Sequence, residues 1–164
     1  MTDELAASLA AGPHALLAGL VGDWAGTTRT WFTASELADE SATAGSVRAV
    51  LAGRFVIHEY SGTLMGEELE GQATVGFDVA RYRFVCAWVD GAHNGTAVML
   101  SEGEPGVTDA ISVLGSYDVG EGPHWGWRTT FEQPSADALV IAHFNIPPGG
   151  DEYIGVETSY ARIR

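Results

Sequence analysis

Two regimes of hydrophobic spacing divide the chain. Between Asp3 and Leu20, Leu5, Leu9, Leu16, Leu17 and Leu20 recur among alanines at intervals that suit one face of a helix. Gly12-Pro13 interrupts that run, so the pattern predicts one or two short helices. From Asp23 onward apolar and polar residues alternate, β-branched and aromatic residues are enriched, and Gly-rich breaks recur about every eight to twelve residues, which is the rhythm of an all-β sandwich or barrel. The predicted strands are Asp23–Phe32, Ser46–Leu51, Arg54–Gly62, Glu68–Asp78, Arg81–Val89, Thr96–Glu102, Thr108–Val119, His124–Gln133, Ala138–Asn145 and Glu152–Arg164.

The connections favour antiparallel neighbours. Asn94-Gly95 has the composition of a two-residue type I′ hairpin, in which both central residues need positive φ. Pro147-Pro148-Gly149-Gly150 and Gly120-Glu121-Gly122-Pro123 separate strands, because proline cannot donate to a ladder. Thr33–Ala44, rich in Ser, Ala and acids, is predicted to cover one end as a loop or short helix. A sandwich has the same strand count as a barrel. The two ends of the chain favour the barrel: Gly22-Asp23-Trp24-Ala25-Gly26 opens the β region and Tyr160-Ala161-Arg162 closes it, and Trp24 can meet Arg162 only if the sheet curls round. The expected architecture is therefore all-β: one antiparallel meander barrel of about ten strands over residues 21–164, preceded by a helical segment at 1–20, in one domain.

Composition narrows the function classes. A net charge of −14 repels phosphate backbones and anionic membrane surfaces, so neither nucleic acid nor a membrane is an expected partner. All eight basic residues are arginines, which excludes chemistry that needs a lysine amine. Cys86 is the one cysteine and lies in an apolar run; it is expected to be buried and inert in a reducing setting. With no long apolar span and an acidic Met1-Thr2-Asp3-Glu4, the expected location is cytoplasmic. Large apolar groups on both faces of several strands call for cover by the N-terminal helices or by a second copy of the chain, a homo-oligomer.

Alternation sorts the candidate chemistry. In Arg54–Gly62, Phe55, Ile57, Glu59 and Ser61 share one face and Arg54, Val56, His58 and Tyr60 the other, so only one of His58 and Glu59 can reach a barrel interior. Phe84, Cys86, Trp88 and Asp90 share a face, as do Trp125, Trp127, Thr129 and Phe131. Glu59, Asp78, Asp90, Arg128 and Glu157 interrupt apolar strands; the simple solution is ion pairing, with Arg128 on an acid, and the alternative is one acid facing an aromatic cavity. His14, His58, His93, His124 and His143 stand in separate segments without a metal-binding spacing, so no metal or other cofactor is expected; His143 or His58 is the residue a single-ligand haem would use. Triad-hydrolase, phosphate-loop and dinucleotide fingerprints are absent.

Several segments together resemble a known family. Leu20–Gly26, Thr30-Trp31-Phe32, Gly53–Tyr60, Ala87-Trp88-Val89-Asp90, His93-Asn94-Gly95-Thr96, Trp125–Thr129, Phe144-Asn145-Ile146 and Val156-Glu157-Thr158-x-Tyr160-x-Arg162 are similar to the bacterial domain of unknown function (DUF) family 1579. That resemblance implies a calycin barrel of the lipocalin and fatty-acid-binding type and carries no assigned activity. Likeness to nitrobindin-like haem barrels extends to the Gly-x-Trp-x-Gly opening, without an axial-histidine motif.

The reading that results is a barrel holding one small hydrophobic or amphipathic ligand in an aromatic-lined lumen. Trp31, His58, Glu59, Trp88, Asp90, Trp127, Arg128, Glu157 and Tyr160 are the candidates for its wall and polar handles, and Trp24 with Arg162 is a structural fastener at the base. The alternatives are a cofactor-free cyclase, isomerase or hydrolase using a carboxylate or histidine as proton shuttle, and a filled structural barrel.

Overall fold

The computed structural model describes residues 2–164. Two helices, α1 (Asp3–Ala11) and α2 (Pro13–Gly19), precede ten strands: β1 (Gly22–Trp31), β2 (Leu37–Val50), β3 (Phe55–Leu64), β4 (Glu67–Asp78), β5 (Arg83–Asp90), β6 (Met99–Glu102), β7 (Ile111–Tyr117), β8 (Trp125–Ser135), β9 (Ala138–Ile146) and β10 (Tyr153–Arg162). Every strand is antiparallel to its neighbours, and β1 pairs with β10 to close the meander into a barrel. Odd-numbered strands run from the end holding Trp24 to the end holding Trp31, and even-numbered strands return. We call these ends the base and the mouth.

Local chemistry accounts for the helical segment. The Thr2 hydroxyl accepts the Leu5 amide at 3.3 Å, and Asp3 and Glu4 sit in the first turn of α1, where the helix dipole favours negative charge. Gly12 ends α1, and Pro13 starts α2 at a position where no amide is needed. The helices seal the base instead of covering the outer wall: α2 lies against β3 and β4, and Leu17 and Leu20 are buried beside Trp24, Val47, Val56, Val75, Phe77, Phe84 and Leu139.

Closure depends on Arg162. It stands opposite Trp24 in the β1–β10 register, with its guanidinium carbon 4.1 Å from the centre of the indole. Its nitrogens donate to the carbonyls of Val21 (2.5 Å), Ala136 (2.7 Å) and Gly19 (3.1 Å), while the Trp24 indole N–H donates to Leu20 O at 3.0 Å. The glycines of Gly-x-Trp-x-Gly serve this packing. Gly22 has φ of 151°, and a Cβ there would collide with Arg162 Nη1; a Cβ at Gly26 would collide with the Ser159 carbonyl across the β1–β10 seam.

Two expectations require correction. Thr33–Ala44 is not a loop or helix over one end, because β2 begins at Leu37 and runs fourteen residues. Its inward positions are small and polar, so it lacks the apolar alternation that marks a strand, and ladders from β1 and β3 on both sides hold it extended. Asn94-Gly95 does not form a two-residue type I′ hairpin. Gly95 has positive φ and Asn94 does not, and residues 91–98 make a longer loop in which the Ala97 amide donates to Asn94 O. The two-residue turn with both φ positive is Met65-Gly66, joining β3 to β4.

The seam between β6 and β7 is the weakest. Only Glu102 and Leu114 pair across it, and beyond Glu102 the Gly103 amide turns back to Phe84 O. Amide hydrogen exchange should therefore be fastest, among strand residues, at β6 and the facing edge of β7, and slowest in β8 and β9; uniform protection around the barrel would contradict this. Arg162→Ala should cost about 2–4 kcal/mol in denaturant unfolding, since it removes a cation–π contact and several charge-assisted hydrogen bonds. Arg128→Ala, which removes a surface ion pair, should cost under about 1 kcal/mol.

Candidate functional site

The interior changes character from base to mouth. Above the apolar base lies a narrow chamber of about 40 Å³, lined by hydroxyls from Thr28, Thr30, Thr43, Ser101, Thr129 and Thr158 and by His58, Tyr60, His143 and Tyr160. That volume suits a few waters or a small polar group, since one water needs roughly 10–15 Å³ measured this way. Toward the mouth the space widens into an open vestibule of about 300 Å³ walled by Trp31, Phe32, Tyr117, Trp125, Trp127 and Tyr153. Thr30, Trp88, His93 and Val156 line both spaces and form the neck between them. The barrel is thus filled at the base and emptiest at the mouth.

Strand alternation places the inner side chains. His58 and Tyr60, two apart on β3, both point inward and stack with ring centres 5.1 Å apart. His58 Nε2 and the Tyr160 hydroxyl share a hydrogen bond at 3.3 Å across the barrel. On β9 and β8 the His143 ring meets the Thr129 hydroxyl at 2.9 Å and lies near-parallel to both Trp88 (5.1 Å) and Trp127 (5.4 Å). The two indoles are themselves near-parallel at 5.6 Å, so β5, β8 and β9 together present one packed aromatic surface.

Asp90 anchors the neck. Its carboxylate is fully enclosed: Oδ1 accepts the amides of Ala92 (3.2 Å), His93 (2.6 Å) and Asn94 (3.2 Å), and Oδ2 meets His93 Nδ1 at 2.5 Å and the Tyr60 hydroxyl at 3.4 Å. The Trp88 indole N–H donates to the Tyr60 phenolic oxygen at 2.9 Å and extends the network. Burial pushes the Asp90 pKa up, but the hydrogen bond from the His93 ring, the attraction of that ring when it carries a proton, and the loop amides outweigh it and hold the carboxyl below its usual range.

Burial makes the other ionisable groups neutral. It lowers His58 to about 4, and it lowers His143 to about 3, where neighbouring imidazoles add repulsion. The same effect raises Cys86 and Tyr160 to about 12 each, and it raises Tyr60 further with help from the Asp90 charge. Cys86 is buried, as its apolar run predicts.

The candidates from the sequence divide into two groups. His58, Trp88, Trp127 and Tyr160 face inward and line the chamber or vestibule, Asp90 is enclosed behind the neck against His93 and Tyr60, and Trp31 stands at the vestibule rim. Glu59, Arg128 and Glu157 lie on the outer surface and are not brought to the interior. Glu59 pairs with Arg48 at 3.3 Å and accepts from Gln72. Arg128 pairs with Glu152 and lies 4.4 Å over the Phe144 ring, and Glu157 is 4.0 Å from Arg29. Asp78 accepts the Ala80 and Arg81 amides in a turn. Glu59 on β3, Arg128 on β8 and Glu157 on β10 occupy outward positions, where each pairs with a charge on a neighbouring segment.

Structure adds Tyr60, His93, His143, Tyr117 and Asn145, the last two joined by a 2.6 Å hydrogen bond. Alternation puts Tyr60 with His58, and it puts His143 with Leu139 and Ile141. His93 lies on a loop where periodicity is silent, and its signal is the Asp-x-x-His spacing of a side chain that caps its own turn. Among the described residues, no three His, Cys, Asp or Glu side chains converge as a metal-binding group, and no helix is long and apolar enough to cross a membrane.

Stability should fall in mild acid. His58 and His143 stay neutral in the fold down to about pH 4 and 3, whereas the unfolded chain protonates them near 6.5, so below that pH the unfolded state binds more protons. Asp90, with its pKa lowered, stabilises the fold above the usual carboxylate pKa and loses that contribution only as pH falls through the carboxylate range, below the histidine window. Each imidazole should remove about 2 kcal/mol between pH 7 and pH 5. Denaturant unfolding at both pH values should show this loss, and His143→Gln should shrink it by about half; an unchanged difference in the variant would refute the assignment.

A family model described as "Protein of unknown function (DUF1579)" matches residues 10–162, from the end of α1 through β10. No curated protein matches the chain.

Proposed function

Because the chain belongs to the DUF1579 family, whose description assigns no activity, we propose a function from its geometry: the barrel binds one small amphipathic molecule at its mouth. The observation that supports this reading is the distribution of empty space. A barrel serving only as a packed scaffold has no use for an open, aromatic-walled vestibule beside a hydroxyl-lined chamber. At about 300 Å³ the vestibule lies at the lower end of ligand pockets, which run from about 300 to 1,000 Å³. Phe32 is 60% exposed at its rim, and that apolar surface gains about 25 cal/mol per Å² when a ligand covers it.

The division of chemistry suggests the orientation. An apolar, flat portion of the ligand rests on the vestibule aromatics, and a short polar end points through the neck toward His93 and the chamber hydroxyls. The ligand enters without net negative charge, because a protein of net charge −14 repels anions from its surroundings.

Native mass spectrometry of protein purified from its own host should show one bound small molecule per barrel. Titration with a panel of small aromatic compounds should change tryptophan fluorescence, and Trp127→Ala should weaken the best binder by roughly tenfold or more, the scale of one lost aromatic contact with its buried area. A clean unliganded mass together with a flat fluorescence response across the panel would overturn the reading.

A further inference from the structure

The neck carries a chemical feature beyond simple binding. Asp90 is the one Asp, Glu or Arg side chain among the described residues that is buried, and its carboxylate is committed to shaping and orienting the loop that carries His93. With His93 Nδ1 donating to Asp90 Oδ2, the neutral ring has its lone pair on Nε2, the nitrogen on the far side from Asp90. Nε2 makes no hydrogen bond to the described residues, and the ring lines both the vestibule and the chamber. The other two histidines of the interior are spent differently: His58 is tied to Tyr160, and His143 to Thr129 beneath two indoles.

A second unmet group stands in the same wall. Trp127 Nε1 is buried and has no partner, and the Trp127 ring centre is 6.1 Å from that of His93. A buried N–H without an acceptor costs about 1–3 kcal/mol, so this corner favours a ligand that brings an electron-rich oxygen.

We propose that His93, positioned by Asp90, takes the proton of an acidic hydroxyl on a flat aromatic ligand, so that the vestibule selects hydroxyaromatic compounds and holds them as phenolates. This rests on the vestibule being a ligand site. The ligand's O–H bond breaks, its electron pair stays on oxygen, and the proton joins Nε2. The imidazolium so formed lies between Asp90 and the phenolate, and nothing is oxidised or reduced. The ligand crosses the acidic exterior as a neutral phenol and ionises only inside, where Asp90 offsets the charge on His93. Tyr60, His58 and His143 are the other ionisable groups near this pair, and all three are neutral at pH 7.

The test uses the full chain with meta-nitrophenol at neutral pH, where the free compound is mostly the colourless neutral phenol, and with meta-nitroanisole, its methyl ether. Binding should turn the nitrophenol yellow as phenolate and favour it over the ether by about tenfold or more, the equivalent of one pKa unit. His93→Gln should abolish the colour and collapse that preference, and Asp90→Asn should reduce both; Glu59→Gln, on the outer wall, should change neither. If both probes bind equally and the nitrophenol stays colourless, proton transfer is overturned while the vestibule reading stands. Colour that persists in His93→Gln overturns the assignment to His93. If neither probe binds, the vestibule reading fails and takes this inference with it.

Discussion

The guanidinium of Arg162 ties the last strand to the link between α2 and β1 and to the turn between β8 and β9. It lies on the indole of Trp24, and its nitrogens reach the carbonyls of Gly19 and Val21, where α2 leads into β1, and of Ala136, between β8 and β9. A lysine could not replace it, because only a planar fork can rest on a ring and donate along several directions in its own plane. The contact sits where the first and last strands meet. It therefore helps to fix the β1–β10 register, seats the helical plug on the barrel end and explains the glycine at position 22, while Gly26 answers to the Ser159 carbonyl across the same seam.

Sealing one end sets the character of the other. Once α2, Trp24 and the aromatic and aliphatic residues around them fill the base, solvent reaches the interior only from the mouth. Polarity follows that gradient: apolar side chains at the base, hydroxyls and neutral imidazoles in the middle, indoles and phenols at the rim. Bulges in β2 at Ala38, opposite Thr30/Trp31, and in β10 at Gly155 fall at this rim and turn the strand ends around the vestibule. Arg29, Arg48, Arg128 and most carboxylates stay on the outer wall, where exposed pairs contribute little to stability and the excess of acids keeps the surface strongly acidic.

Within that arrangement Asp90 is the exception that requires an account. An enclosed carboxylate is tolerated here because three loop amides, an imidazole and a phenol satisfy it. The same bonds that make the charge affordable also hold the 91–98 loop against the neck, so the electrostatics of one side chain and the shape of the mouth are a single feature.

Alternation was enough to read most of the strands and to sort side chains by face, His58 opposite Glu59 and Asp90 together with Trp88, because side chains on a strand alternate whatever the strand packs against. The Gly-x-Trp-x-Gly opening and the terminal Arg162 likewise carried closure, since each needs the other to make sense. What the sequence could not determine was which charged residues find water. Glu59, Arg128, Glu157 and Asp90 look alike in apolar runs, and only the barrel's curvature decides that three of them lie outside and pair across strands. Residues 37–45 of β2 were hidden for a related reason: their small or polar inward side chains need no apolar pattern, and their extension comes from the ladders on either side. His93 was beyond the reach of periodicity, and only its Asp-x-x-His spacing marked it. A loop residue's position depends on the contacts that fold the loop back, and here those contacts converge on a carboxylate whose burial exists only once the barrel has closed.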